Sequence, residues 1–386
     1  MSTVTGLTRI DAWLALPRKS WRRQVKLMRD DVGGRLRLSI LDHTPVSSGS
    51  TLGDAFWHST KLAQLAEEVG YERYWVAEHH NMPWLASSSP AVLVAHVAAR
   101  TTSLRVGSGG IMLPNYAPLA VVEQFGMLEE LHPGRIDLGL GRSSGGDQVA
   151  SHALRRTDQE YAQMLAELLA FFRGEFPEGH PYGRVTAVPG HGTMPNIWLL
   201  GSGTYSAELA GTIGLPFGHG GHFAAANNIA AVEAYRQSFR PSPALSKPYA
   251  IVSVGVICAE TDEIAERHHR AAYVSTVRNL SGTRGPLLSA HEIEAGPPGP
   301  WSAAQEQFVT EVFSSHIVGS QSTVKAGLEA LAQRTGADEI MIATIMHGYS
   351  DRLRSYELIA EACLPRNSIG INSQGTGGFT DARNGF

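Results

Sequence analysis

The sequence predicts an α/β fold, a closed (β/α)8 TIM barrel with a lid inserted after the seventh strand. Three observations carry that prediction: eight short β-rich runs each followed by a helical period, near-continuous apolarity within the runs, and a chain of 386 residues, a length one barrel can absorb. Strands apolar on both faces belong to parallel sheets covered by helices, and eight strand–helix pairs in one chain favour closure over an open sheet.

The elements follow in order. Residues 38–41 form a strand before the helix 52–69, where Leu62, Leu65, Ala66 and Val69 share a face. Strand 74–77 precedes helix 90–99, strand 104–112 precedes helix 119–131, and strand 136–140 precedes helix 161–172. In the second half, strands 197–200, 216–220, 251–257 and 339–345 precede helices 206–213, 224–239, 264–274 and 353–362. The barrel therefore occupies residues 36–363. Ahead of it, residues 1–35 are a basic extension in which Arg18, Lys19, Arg22, Arg23, Lys26 and Arg29 surround Trp13, Leu14, Trp21 and Leu27. Behind it, residues 364–386 lack an apolar period and read as a flexible tail. The interval 281–301, SGTRGPLLSAHEIEAGPPGPW, breaks the rhythm with Gly and Pro, and is either a functional cover or a disordered excursion.

Composition narrows the function. With 32 basic against 36 acidic residues the formal charge is −4, so the chain lacks the positive field that gathers nucleic acid or acidic membranes. Cys258 and Cys363 stand far apart, which argues against a disulfide framework or a thiolate metal site and fits a reducing cytoplasm. No apolar run approaches the roughly 20 residues that cross a bilayer, and no secretory signal core precedes Leu36. A cytoplasmic protein acting on small molecules is expected.

In a barrel the active site is built at the strands' C-terminal ends, and four polar clusters stand there. Glu78-His79-His80-Asn81 follows the second strand, where alternation turns one histidine to the mouth and its neighbour away. Such a histidine either acts as base or hydrogen-bond donor, or simply packs. Gly107-Ser108-Gly109-Gly110 interrupts the third strand, which a bulge and a closely approaching flat ligand explain equally. Arg142 lies in a glycine-rich loop after the fourth strand, as a phosphate clamp or a solvent-facing side chain; the helical period resumes only near Thr157, which argues against a dinucleotide fingerprint. Gly201-Ser202-Gly203-Thr204-Tyr205-Ser206 leads from the fifth strand into a helix, where the hydroxyls either cap the helix or join its free N–H groups around a phosphate. The pair His219 and His222 lacks the third ligand a catalytic zinc wants.

Taken together, ERYWVAEHHN, RVGSGGIMLPNYAPLAVVEQFGMLEELHPGRIDLGLGRSSGGD and WLLGSGTYSAELAGTIGLPFG resemble the bacterial luciferase-like flavin monooxygenases from Leu36 to Ala362. The opening LSILDHTPVSSGST and the closing DEIMIATIMHGYSDRLRSYELIAEA resemble a single-component subgroup that includes actinobacterial enzymes tailoring aromatic polyketides such as mensacarcin. The resemblance implies a dimeric barrel that takes reduced FMN from a separate NAD(P)H-dependent flavin reductase and activates O2 as a C4a-hydroperoxyflavin. It implies hydroxylation or epoxidation of a small organic substrate. It assigns His79 to catalysis beside the flavin ring, Gly109 and Gly110 to a cis peptide beneath it, and Arg142, Gly203 and Ser206 to the phosphate; Ser108 and the Ser202 hydroxyl, next to these, are read as further cofactor contacts. Gly141 stands where luciferases carry cysteine, which argues against light emission, and Ser202 stands where they carry an acid. An F420-dependent dehydrogenase on the same barrel, or a flavin-binding protein without turnover, are the alternatives.

Overall fold

The computed structural model describes residues 36–296 and 301–364. The expected basic extension 1–35, all of the expected tail beyond Leu364 and part of the lid interval lie outside the described residues. Eight parallel strands close a ring: β1 (Leu38–Asp42), β2 (Arg73–Val76), β3 (Arg105–Met112), β4 (Ile136–Gly141), β5 (Asn196–Gly201), β6 (Phe217–His219), β7 (Ala250–Cys258) and β9 (Glu339–Ala343), with β9 pairing back onto β1. A ninth short strand, β8 (Ile317–Gly319), pairs with the far end of β7 outside that ring.

Two side-chain layers follow from the period of two along each strand. Ile40, Tyr74, Val76, Leu138, Leu199 and Ile340 face outward into the large core beneath the helices, while Leu41, Trp75, Ala77, Trp198, Ile251 and Met341 form a second cluster inside the ring. The lower interior is filled by aromatics: Trp198 meets Trp75 edge-on at 5.1 Å and Tyr249 at 5.8 Å. Arg73 joins Glu339 and Asp137, each at 2.8 Å, and its guanidinium lies 4.7 Å from the Trp198 ring centre. Towards the strands' C-terminal ends glycines take over, Gly109 and Gly110 on β3, Gly141 on β4 and Gly218 on β6. Bulk below and glycine above leave the upper barrel hollow, and that hollow positions the site.

The eight expected strands are all present, within a few residues of their expected bounds. The expected pattern needs three corrections. Between residues 303 and 335 there are two further helices, Ala303–Phe313 and Gln321–Thr335, flanking β8. The helix after β4 starts earlier than Thr157, because Asp147 caps a short helix Gln148–Ala153 by accepting from the Ala150 N–H at 2.9 Å. The lid interval is not structureless: it contains the helix Ala290–Ala295, opened by a capping box between Ser289 and Glu292.

Candidate active site

A cavity of about 370 Å³ opens among the C-terminal ends of the strands, and it gathers Gly109, Gly110, Arg142, Ser202, Gly203 and Ser206. These residues come from three different strand ends. The Gly109–Gly110 peptide is cis, and β3 slips register against β4 between Ser108 and Ile111. A Cβ on Gly109 would lie 2.5 Å from Leu41, and one on Gly110 would lie 2.6 Å from both Leu200 and the Gly139 carbonyl. The demand for glycine therefore comes from the packed barrel interior, and the cavity receives a wall of backbone without side chains.

Ser108 does not join them. Its hydroxyl donates to the Gly139 carbonyl and accepts from the Gly139 N–H, both at 3.0 Å, in a fully buried position. It clips β3 to β4 beside the bulge.

At the opposite rim, the helix Thr204–Ile213 begins at Gly203 with no side-chain hydrogen bond to its first turn. The hydroxyls of this turn do not cap it, in contrast to Thr261, which caps the helix Asp262–Leu280. Uncapped N–H groups at a helix start carry partial positive charge and orient toward an anion. Arg142 reaches across from the loop after β4 and places its guanidinium 4.8 Å from the Tyr205 ring centre, on that same first turn. The Asn227 side chain holds the turn by donating to the Ser202 carbonyl at 3.0 Å.

His79 lies elsewhere. It lines a second cavity of about 270 Å³ with His43, His222, His316 and a shell of apolar side chains. The rings of His79 and His222 each sit 5.3 Å from that of His43. Its neighbour His80 turns away onto Glu78, whose carboxylate also accepts from the Met112 N–H and from Asn115, each at 3.0 Å. Glu78 thereby ties the loop after β2 to the end of β3. Burial and the neighbouring His80 push His79 down to about 4; burial, with the other histidines, pushes His222 down to about 3, and burial with His269 pushes His316 down to about 4. Burial likewise holds His43 well below its ordinary value. The four rings are neutral at pH 7. The Nδ1 atoms of His43 and His79 are buried without hydrogen-bond partners.

Sequence reasoning left out Tyr205, His43, His222, Ser253 and His316. Tyr205 stood inside a cluster already singled out. His43 follows β1 as His79 follows β2, which is a readable signal. His222 carried one too, but as a metal ligand; instead its Nδ1 contacts the Ser253 hydroxyl at 2.7 Å.

Part of the interval 281–301 packs on the loops after β1 and β2. Leu287 is buried with Trp84 and Leu85, and its backbone pairs with Val46 and Ser48 after β1. Ser48 donates to Glu292 at 2.6 Å, and Arg284 reaches Asp147 at 2.9 Å.

The closed parallel barrel, with an uncapped helix start and Arg142 on one rim and glycine backbone on the other, can be set beside known proteins. The family model for the luciferase-like monooxygenases matches residues 36–339. An Escherichia coli K12 luciferase-like monooxygenase is 42% identical over 330 residues, covering 84% of this chain and 96% of that one. The crystal structure of apo-MsnO8 superposes with a TM-score of 0.77 at 37% identity, over 86% of this chain and 100% of that chain. Two more distant barrels share the fold: an FMN complex of a Pseudomonas putida 3,6-diketocamphane monooxygenase (TM-score 0.61, 20% identity, 85% and 98% coverage) and an F420-dependent secondary alcohol dehydrogenase (0.58, 11%, 85% and 99%). The chain belongs to the luciferase-like monooxygenase family and is a monooxygenase.

Proposed function

We propose that this enzyme binds reduced FMN in the larger cavity and uses O2 to hydroxylate or epoxidise a small organic substrate, an aromatic polyketide of secondary metabolism. The carrying observation is the pairing of Arg142 and the uncapped start of the helix Thr204–Ile213 on one rim with the Gly109–Gly110 backbone on the other. The residues present fit the group. A phosphate dianion matches an arginine beside free N–H groups, and a flat ring matches a wall that carries no side chains.

When bound, reduced FMN supplies the electrons that activate O2, so that one oxygen atom enters the substrate and the other leaves as water. The chain's own residues do the rest. Arg142, Ser202, Gly203 and Ser206 hold the phosphate end, while Gly109 and Gly110 support the ring. His79, neutral and with an unpartnered Nδ1, offers a hydrogen bond at the mouth. Leu287, Trp84 and Leu85 exclude water, which suppresses loss of oxidising equivalents as H2O2. We further infer that a separate NAD(P)H-dependent reductase delivers the flavin, that the enzyme works as a homodimer and that it resides in the cytoplasm. No helix among the described residues is long and apolar enough to cross a membrane.

The test is a single turnover. Anaerobically reduced FMN, enzyme and candidate hydroxyaromatics are mixed and pulsed with ¹⁸O2. One labelled oxygen in the product supports the reading. Turnover with F420 and no oxygen requirement would replace it with the dehydrogenase alternative, and flavin binding without any product would reduce it to a flavin-binding protein.

A further inference from the structure

The second cavity has a chemistry of its own. It shares His222 and Phe223 with the larger one, so the two meet at that wall. Among the described residues no Asp, Glu, Lys, Arg or Cys lines it; its polar side chains are Thr276, four histidine rings and Trp84 with its indole N–H. Gly255 helps to open it, since a Cβ there would lie 2.4 Å from the His316 ring.

The hydrogen bonds around His222 settle which nitrogen carries its proton. Ser253 has one hydroxyl proton and donates it to the His219 carbonyl at 2.9 Å. Towards His222 Nδ1, 2.7 Å away, the same oxygen must therefore accept, and Nδ1 is the N–H of the ring. In the neutral ring Nε2 is then a bare lone pair, and it has no hydrogen-bond partner among the described residues.

We propose that the second cavity holds the substrate as a neutral group of one or two rings, and that His222 Nε2 orients it at the junction by accepting a hydrogen bond from a substrate hydroxyl. The oxidation of that group rests on the flavin reading of the neighbouring cavity; its binding does not. Size supports the ring count: an apolar cavity of about 150 Å³ holds one benzene, and this one measures about 270 Å³. A larger polycyclic substrate places one end here. Charge selection follows from the lining, because a carboxylate or ammonium would be desolvated with no counter-charge to meet it. His222 positions the substrate and does not deprotonate it, since a ring pushed down to about 3 is far too weak a base for a phenol near 10.

The experiment titrates flavin-free protein with 2-naphthol, 2-methylnaphthalene and 2-naphthoate at pH 7.5, following ligand fluorescence. The expected result is 2-naphthol binding at least about tenfold more tightly than 2-naphthoate. His222→Phe lowers the affinity ratio of 2-naphthol to 2-methylnaphthalene about fivefold, the size of one net hydrogen bond, and His222→Gln, whose amide oxygen accepts, keeps it. Thr276→Phe, a substitution at a half-buried position on the cavity wall, abolishes 2-naphthol binding while FMN affinity stays within twofold. Naphthoate binding as tightly as naphthol, an unchanged ratio in His222→Phe, or full naphthol affinity in Thr276→Phe would each overturn the proposal. FMN failing to bind while the naphthol pattern holds removes the flavin reading and leaves this one standing; FMN binding with no naphthol pattern does the reverse.

Discussion

Two residues of the β2 strand and its following loop have different surroundings, Arg73 fully buried and His79 half-buried. His79 at the mouth has an unpartnered Nδ1, whereas Arg73 at the barrel's lower end is tied to Asp137 and Glu339. The first is the proposed catalytic group, and the second ties strands of the fold together. His79→Ala is therefore expected to cut coupled product at least about tenfold, within the range of a positioned proton-transfer or hydrogen-bonding group, while FMN affinity changes less than threefold. Product yield and flavin titration check this, and equal losses in both would dissolve the distinction. Arg73→Ala removes the guanidinium that the buried Glu339 and Asp137 share, although Asp137 keeps its pair with Arg105 at 2.7 Å, and is expected to lower unfolding stability by about 3 kcal/mol, measured by urea titration. Ser108 has a structural duty as well: beside the glycine pair, its hydroxyl donates to and accepts from Gly139.

Among the elements, the segment around Leu287 and the helix Ala290–Ala295 is the proposed cover. It is latched by one buried leucine, by Glu292 on Ser48, and by the exposed pair Arg284–Asp147. Exposed pairs contribute about 0–1 kcal/mol, so Arg284→Ala is expected to leave thermal stability almost unchanged yet raise the H2O2 released per turnover, read with a peroxide assay; unchanged coupling would show that this contact does not govern closure. The elements missed in the sequence have a physical reason. The helix Ala303–Phe313 buries only Val309 and Phe313, and Gln321–Thr335 shows a stripe of single apolar residues, Val324, Leu328 and Leu331. β8 has three residues, two of them half-exposed. Such weak periods sit below the contrast that made the eight barrel strands readable. The site divides similarly: Gly109-Gly110, Arg142 and residues 201–206 were legible because each is a compact polar or glycine cluster at a strand end. His316 and Ser253 are single residues outside those clusters, and only the fold brings His316 into one cavity with His43 and His79 and sets Ser253 against His222.

For the molecule as a whole, the buried histidines set the acid response. Their free value is near 6.5, and the fold lowers His79 and His316 to about 4 and His222 to about 3. Between those limits the unfolded chain binds more protons than the folded one, so stability rises with pH there. The contribution of these neutral rings is complete above about pH 6.5 and is lost as pH falls towards 4. Asp42, where Arg352 and the Ser59 and Tyr74 hydroxyls outweigh the cost of burial and hold the carboxyl below its ordinary value, adds a further loss only at lower pH. Melting temperature is expected to be flat from pH 8 to 7 and to fall steadily below 6.5, as scanning calorimetry would record; a flat profile down to pH 5 would mean the rings are solvated.

The central claim is that a phosphate-bearing flavin sits between Arg142 and the Gly109–Gly110 wall. Its most direct test compares equilibrium binding of FMN and riboflavin, which differ only in the phosphate, to the wild-type chain and to Arg142→Ala. Charge-assisted hydrogen bonds of about 1.5–3 kcal/mol predict that FMN binds at least about tenfold more tightly than riboflavin and that most of this preference disappears in the variant. Equal affinity of the two flavins for the wild-type protein, or a preference that survives loss of the guanidinium, would contradict the account.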